Sequence, residues 1–66
     1  MRITLNGRSR DVPEACSVEQ LIRDAELDPR FVIVEHNGEP VERKRYADVV
    51  VAAGDRLELV RAVAGG

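Results

Sequence analysis

The residues in this chain whose types and spacing can do chemistry are few, and the most distinctive come last. A small apolar stretch, Ala62-Val63-Ala64, runs into Gly65-Gly66. Glycine lacks Cβ, so this pair can extend into a narrow channel of another protein and bring a carboxylate up to reacting atoms without steric obstruction. A free carboxylate is a poor electrophile. Attack of its oxygen on the α-phosphate of ATP gives an acyl adenylate, whose AMP then leaves as sulfur or nitrogen attacks the carbonyl. This chemistry asks the chain for one reachable carboxylate, at Gly66, with Val63, Ala64 and Gly65 as the tail that gives access. The ATP site, any metal and the basic groups belong to a partner, and no cofactor bound by this chain is expected. Termini are commonly disordered and polar. Here the tail follows directly on a run patterned as a core strand, which favours recognition over fraying.

Other reactive side chains offer less. Cys16 is the single cysteine, which excludes an internal disulfide and cannot alone hold zinc or an iron–sulfur cluster. It lies far along the sequence from Gly66 without an activating neighbour, and reads as an ordinary loop or partly buried thiol. His36 is the single histidine. With no paired acid or nucleophile evident, it reads as a surface residue beside the Asn37-Gly38 turn. No metal site is expected. Arg43-Lys44-Arg45 is the only basic run, set between Glu42 and Asp48, and reads as a solvated loop. Val60 is out of phase with Leu57 and Leu59, which puts it on the face opposite the core near the root of the tail. Val60 and Arg61, with Val63, are the expected docking patch for a partner; the alternative for Val60 is packing beneath a loop. Arg56 and Arg61 serve either as rim charges or as protection against unwanted edge pairing.

Composition bounds the rest. A chain of 66 residues holds one small domain. Its net charge of −2, with both signs scattered, argues against a nucleic-acid footprint. Hydrophobic residues make up 44% but aromatics only 3%, so the core must be small and aliphatic. The longest apolar run, Val49 to Ala53, is far too short to span a bilayer. A soluble cytoplasmic protein, monomeric when free, is expected, with too little chain to wall off an active-site pocket of its own.

Met1, Ile3 and Leu5 alternate with Arg2 and Thr4, the period of a half-buried strand. Asn6-Gly7 tolerates the positive φ angles of a type I′ turn, so Arg8 to Val12 should return antiparallel. Ser17 stands three residues before Gln20, a capping-box spacing that starts a helix. Val18, Leu21, Ile22 and Ala25 line one face of that helix, and Asp28-Pro29 should stop it. Phe31 to Glu35 suits a strand in mid-sheet, followed by an Asn37-Gly38 turn and a short strand, Glu39 to Val41. Glu42 to Asp48 reads as irregular, with one helical turn around Tyr46. Val49 to Val51 reads as a short strand or packed loop, and Gly54-Asp55 leads into a last strand, Arg56 to Val60, with Leu57 and Leu59 inward. This order describes an α+β domain of residues 1–62, a mixed β-sheet wrapped over one main helix in the ubiquitin-like β-grasp layout, with a flexible tail at 63–66. Pairing the first and last strands in parallel at the sheet centre buries Ile3, Leu5, Leu57 and Leu59 against Val18, Leu21 and Ile22.

The whole chain resembles the ThiS family of sulfur carriers of thiamine biosynthesis. The resemblance rests on Met1-x-Ile3-x-Leu5-Asn6-Gly7, Ser17-Val18-x-x-Leu21-Ile22, Val34-x-x-Asn37-Gly38-Glu39-x-Val41, Gly54-Asp55-x-Leu57-Glu58-Leu59-Val60 and Ala64-Gly65-Gly66. It implies that Gly66 is adenylylated by an E1-like (ThiF-type) adenylyltransferase using ATP. It also implies conversion to a thiocarboxylate by a cysteine-desulfurase sulfur relay, and use of that sulfur by a ThiG-type thiazole synthase. The chain would then be a co-substrate and not an enzyme. One departure is Pro40, which the family pattern places slightly later. The alternatives are a carrier like the small subunit of molybdopterin synthase, a ubiquitin-like modifier joined to lysines, or a noncovalent β-grasp interaction domain for which Gly66 is dispensable. Replacing Gly65 by valine is expected to block ATP-dependent activation while leaving thermal unfolding unchanged, because the position lies beyond the core. Normal activation of that variant would contradict the narrow-channel argument.

Overall fold

The computed structural model describes residues 1–62. The tail positions Val63, Ala64, Gly65 and Gly66 lie outside the described residues. Strand β1 (Arg2–Leu5) and strand β2 (Arg8–Asp11) form the opening hairpin. Its turn holds Asn6 at φ 50° and Gly7 at φ 81°, the two positive values that a type I′ turn demands. Helix α1 (Val18–Asp24) follows. Strands β3 (Val32–His36) and β4 (Glu39–Val41) make a second hairpin through Asn37 at φ 52° and Gly38 at φ 86°. Strand β5 (Arg56–Arg61) comes last among the described elements.

The sheet order is β2-β1-β5-β3-β4, so the last strand is inserted at the centre. β1 and β5 run parallel in the register Thr4↔Arg56 and Leu5↔Leu57, while β5 and β3 run antiparallel from Val32↔Arg61 to His36↔Leu57. One helix over a mixed five-stranded sheet of this order is the expected β-grasp. Among the described residues only one face of the sheet is covered. Ile3, Leu5, Val32, Val34, Leu57 and Leu59 turn toward α1, which contributes Val18, Leu21 and Ile22 to the same buried cluster. Each such side chain, fully buried, stabilises the fold by about 1.5–3 kcal/mol, the dominant favourable term in a domain with few aromatics. Tyr46, at the end of a 3₁₀ turn over Arg43–Arg45, is the buried exception. Its hydroxyl donates to the Val32 carbonyl at 2.7 Å, tying the crossover to the sheet.

The segment between the helix and the last strand is held by backbone bonds. Val18 N–H donates to the Val49 carbonyl at 2.9 Å, and Val51 N–H to the Cys16 carbonyl at 2.8 Å, so Val49 to Val51 packs against the start of α1 through an isolated bridge. Pro40 lies in β4 opposite Glu35. That strand is an edge of the sheet, where a missing N–H costs no interior ladder bond.

Two local expectations need correction. Ser17 caps α1, its Oγ accepting Gln20 N–H at 3.0 Å, but among the described residues no bond returns from the Gln20 side chain, so only half of the capping box forms. The helix also ends before Pro29 can stop it. Glu26 sits in left-handed geometry at φ 62°, with its N–H on the Arg23 carbonyl at 2.9 Å and Leu27 N–H on the Ile22 carbonyl at 3.1 Å. This is a Schellman closure, in which the two residues past the cap satisfy the helix's open carbonyls. Pro29 instead opens a separate 3₁₀ turn, Pro29–Phe31, capped by Asp28. Bonds from the Arg30 side chain and its N–H hold the Asp28 carboxyl at about 2.

Glutamate at Glu26 carries a Cβ into a backbone region that disfavours it. Glu26→Gly is therefore expected to raise unfolding stability by about 0.5–1 kcal/mol, the relief of left-handed strain less the entropy that glycine adds to the unfolded chain. Urea denaturation checks this, and a destabilised variant would show that the Glu26 side chain makes a compensating contact.

Candidate functional site

β5 decides what surrounds the approach to residues 63–66. Its central position follows from its pattern: Leu57 and Leu59 are buried, whereas Arg56, Glu58 and Val60 face the uncovered side. Val60 is 55% exposed, on the face opposite the core as its phase demanded. Directly across the ladder stands Ile33, itself 52% exposed. Facing side chains on neighbouring strands lie about 5 Å apart, so the two form one apolar patch. The apolar run at Phe31 to Val34 suits the mid-sheet strand expected there. Its member Ile33 faces away from the helix, on the side that no described residue covers.

Around the end of β5 the surface changes character. Ala62 N–H donates to the carbonyl of Phe31, the turn residue just before β3, at 2.7 Å, which carries the bonding along this edge up to the last described residue. Phe31 is 47% exposed, with the Arg30 guanidinium 5.3 Å from its ring centre. Leu27, Phe31, Arg61 and Ala62 help to line an open hollow of about 380 Å³ at this end of the sheet. Of the two residues expected to form a docking patch, Val60 joins Ile33 on the open face, whereas Arg61 lines the hollow. Strand alternation separates them. The root of the tail thus has an apolar patch on one side and, on the other, a hollow edged by Arg61 together with Glu26 and Asp28.

The remaining reactive side chains lie elsewhere. His36 ends β3 and Asp55 precedes β5, at the opposite end of the sheet from Ala62, a strand length of roughly 20 Å away. His36 Nε2 meets Asp55 Oδ2 at 2.7 Å, Asn37 Nδ2 donates to Asp55 Oδ1 at 3.2 Å, and Ala52 N–H donates to Asp55 Oδ2 at 2.8 Å. Asn37 Oδ1 in turn accepts Arg56 N–H at 2.8 Å. The acid partner of His36 was invisible in sequence because Asp55 is nineteen residues away and is brought in by the β3–β5 ladder. This network knots the second hairpin to the start of β5. Cys16 is 1% exposed. Burial, reinforced by Asp24, pushes its thiol up, which disfavours the thiolate that sulfur chemistry needs. Arg43, Lys44 and Arg45 are exposed, and Lys44 pairs with Glu42 at 3.6 Å. Among the described residues no cluster of three metal-ligating side chains occurs, and no helix is long and apolar enough to cross a membrane.

Comparison with known proteins adds an independent line. The sequence model of the ThiS family matches residues 3–66. A sulfur carrier protein ThiS of Bacillus subtilis is 31% identical over 65 residues, covering 97% of this chain and 98% of that protein. A thiazole synthase of Paramagnetospirillum magneticum is 39% identical over 66 residues; the match takes in all of this chain but only 20% of that protein's length. Among solved structures, a thiamine biosynthesis protein (ThiS) from Geobacter metallireducens superposes with a TM-score of 0.85 at 32% identity, covering 100% of both chains.

The Asp55 network makes a pH dependence testable. Burial pushes the carboxyl up, but the bonds from His36, Ala52 N–H and Asn37 outweigh it and leave the group below its ordinary 3.8. A carboxylate whose folded value is depressed stabilises the fold above the unfolded value, and that contribution is lost as pH falls through the folded value. Wild type should therefore exceed Asp55→Ala in stability at pH about 5, with the gap closing as the pH is taken below about 4. Urea melts at stepped pH measure this, and a gap undiminished in acid would contradict it.

Proposed function

The chain belongs to the ThiS family, and from that premise we propose that it is a sulfur carrier of thiamine biosynthesis, a protein co-substrate rather than a catalyst. The observation that carries the reading is the family match, which runs through the whole domain and includes Gly65-Gly66. In this reading the Gly66 carboxylate attacks the α-phosphorus of ATP on an E1-like, ThiF-type adenylyltransferase, and pyrophosphate leaves. The terminal sulfur of a persulfide delivered by a cysteine-desulfurase relay then attacks the carbonyl carbon, and AMP leaves. A thiol next attacks the relay-side sulfur of the acyl disulfide, forming a new disulfide there and releasing the acyl sulfur. The resulting thiocarboxylate hands its sulfur to a ThiG-type thiazole synthase. That a thiazole synthase contains a stretch similar to this entire chain supports such a protein as the recipient.

The division of labour suits the side chains. Activation needs a group that binds and polarises ATP, and the partner supplies it. This chain supplies a rigid sheet, an unhindered carboxyl group and a surface to dock. The Ile33–Val60 patch, at the end of β5 that leads toward Gly66, is the docking face, with Arg61 on its far side available to an acidic rim of the partner. Val63, Ala64 and Gly65 pass through the partner's channel. Cys16 has no part in the relay, because its thiol is buried.

The test is the intact mass of the protein after incubation with ATP, a sulfur source and a ThiF-type adenylyltransferase that is active on its own carrier. Replacement of one oxygen by one sulfur at Gly66 is the expected outcome. An unchanged mass overturns the reading, and an amide bond from Gly66 to a lysine points instead to a modifier. Within the same assay, Ile33→Asp should raise KM for the carrier by about tenfold or more, the loss of one apolar side chain from an interface. Its fold should be unaffected, since Ile33 is already 52% exposed. An unchanged KM would place docking elsewhere.

A further inference from the structure

Each Asn-Gly turn sets an asparagine side chain against β5, and the first does something that no turn requires. β1 shares only two rungs with β5, Thr4↔Arg56 and Leu5↔Leu57. The last backbone bond on this side is Asn6 N–H to the Leu57 carbonyl at 2.9 Å. There the hairpin turns away into Gly7, while β5 continues to Arg61. The Asn6 side chain takes the next rung. Its Oδ1 accepts Leu59 N–H at 2.8 Å, and its Nδ2 donates to the Leu59 carbonyl at 3.3 Å. A carboxamide holds an acceptor and a donor in one plane, as a peptide group does, so it stands in for one more residue of β1. The turn itself needs only a residue that accepts φ 50°, which glycine or aspartate also supplies. The amide is needed by Leu59.

We propose that Asn6 is a positioning residue for the transfer chemistry: by gripping Leu59 on the β1 side, it fixes the direction in which the chain leaves the sheet toward Gly66. The use made of this grip rests on the sulfur-carrier reading; the grip itself does not. Without it, β5 from Leu59 onward is paired along one edge only, to Val34, Ile33 and Val32. A strand end held on one edge twists and opens more readily. Gly66 lies seven positions beyond Leu59, and threaded in extended form through a partner that stretch spans up to about 24 Å. A swing of about 10° at the root then displaces the far end by about 4 Å, far beyond the tolerance of a near-attack geometry.

Three variants separate positioning from general support. Asn6→Gly keeps the turn and removes the amide. Asn6→Asp keeps the turn and the acceptor, but sets a carboxylate oxygen against the Leu59 carbonyl where a donor stood. Asn37→Gly removes the equivalent support at the other end of β5, where Asn37 Oδ1 accepts Arg56 N–H. In Asn6→Gly, amide hydrogen exchange at Leu59 should rise about tenfold more than at Val34, because two local bonds are lost. Adenylation of the carrier should fall in kcat by about tenfold with KM unchanged, since the Ile33–Val60 face is intact, and Asn6→Asp should follow it. Asn37→Gly should lower stability and leave kcat unchanged. Exchange at Leu59 unaltered in Asn6→Gly would overturn the grip. An equal fall of kcat in Asn37→Gly would overturn the positioning role, reducing Asn6 to general support. A wild type that no adenylyltransferase activates would overturn the carrier reading and the use of the grip together, while the exchange measurement still decides the grip.

Discussion

A central strand holds its place only if both of its edges are bonded, and in this protein that strand is the last of those described. β5 meets β3 along five residue pairs but meets β1 along only two. Parallel pairing is slightly weaker per residue and cannot be closed by a tight hairpin. The fold makes up the deficit with side chains. Asn6 extends the β1 edge to Leu59, Asn37 meets Arg56 at the opposite end, and Asp55 gathers His36, Asn37 and the Ala52 N–H where the strand begins. The helix then covers the face that this strand fills with Leu57 and Leu59.

That arrangement separates two jobs that would otherwise compete. The start of β5 is a polar knot, in which a carboxylate is held ionised by its neighbours and nothing is left over for chemistry. The other end has an uncovered apolar pair, Ile33 and Val60, on one side and a hollow edged by Arg61 on the other. The polar bonds are concentrated at one pole of the strand and the exposed apolar pair at the other. Under the proposed function that division matters, because a partner grips the second pole without disturbing the first. The thiol of Cys16 is buried, which under the same proposal keeps a second nucleophile out of reach.

The departures from expectation have separate causes, one in the backbone and the others in contacts across the sheet. Proline at Pro29 signals a helix stop, yet the backbone had already closed at Glu26 through two carbonyl bonds that no residue type announces, because the left-handed position is taken by glutamate rather than glycine. Ile33 sits in an unbroken apolar run, yet alternation along β3 turns it to the side that no described residue covers. Asn6 was legible as a turn residue but not as a partner of Leu59, which is fifty-three residues away.

The sequence by itself determined the main strands and helix, their order and the inward face of each. These depend on periodicity and turn chemistry, which act over a few residues and are written in residue types: alternation in β1 and β5, three-and-four spacing in α1, positive φ at the two Asn-Gly pairs. Tertiary structure alone decided which side chains meet across the sheet: Asn6 with Leu59, His36 with Asp55, and Ile33 with Val60. Those meetings are set by register between strands distant in the chain. Register follows from packing a whole face at once, and no local pattern encodes it.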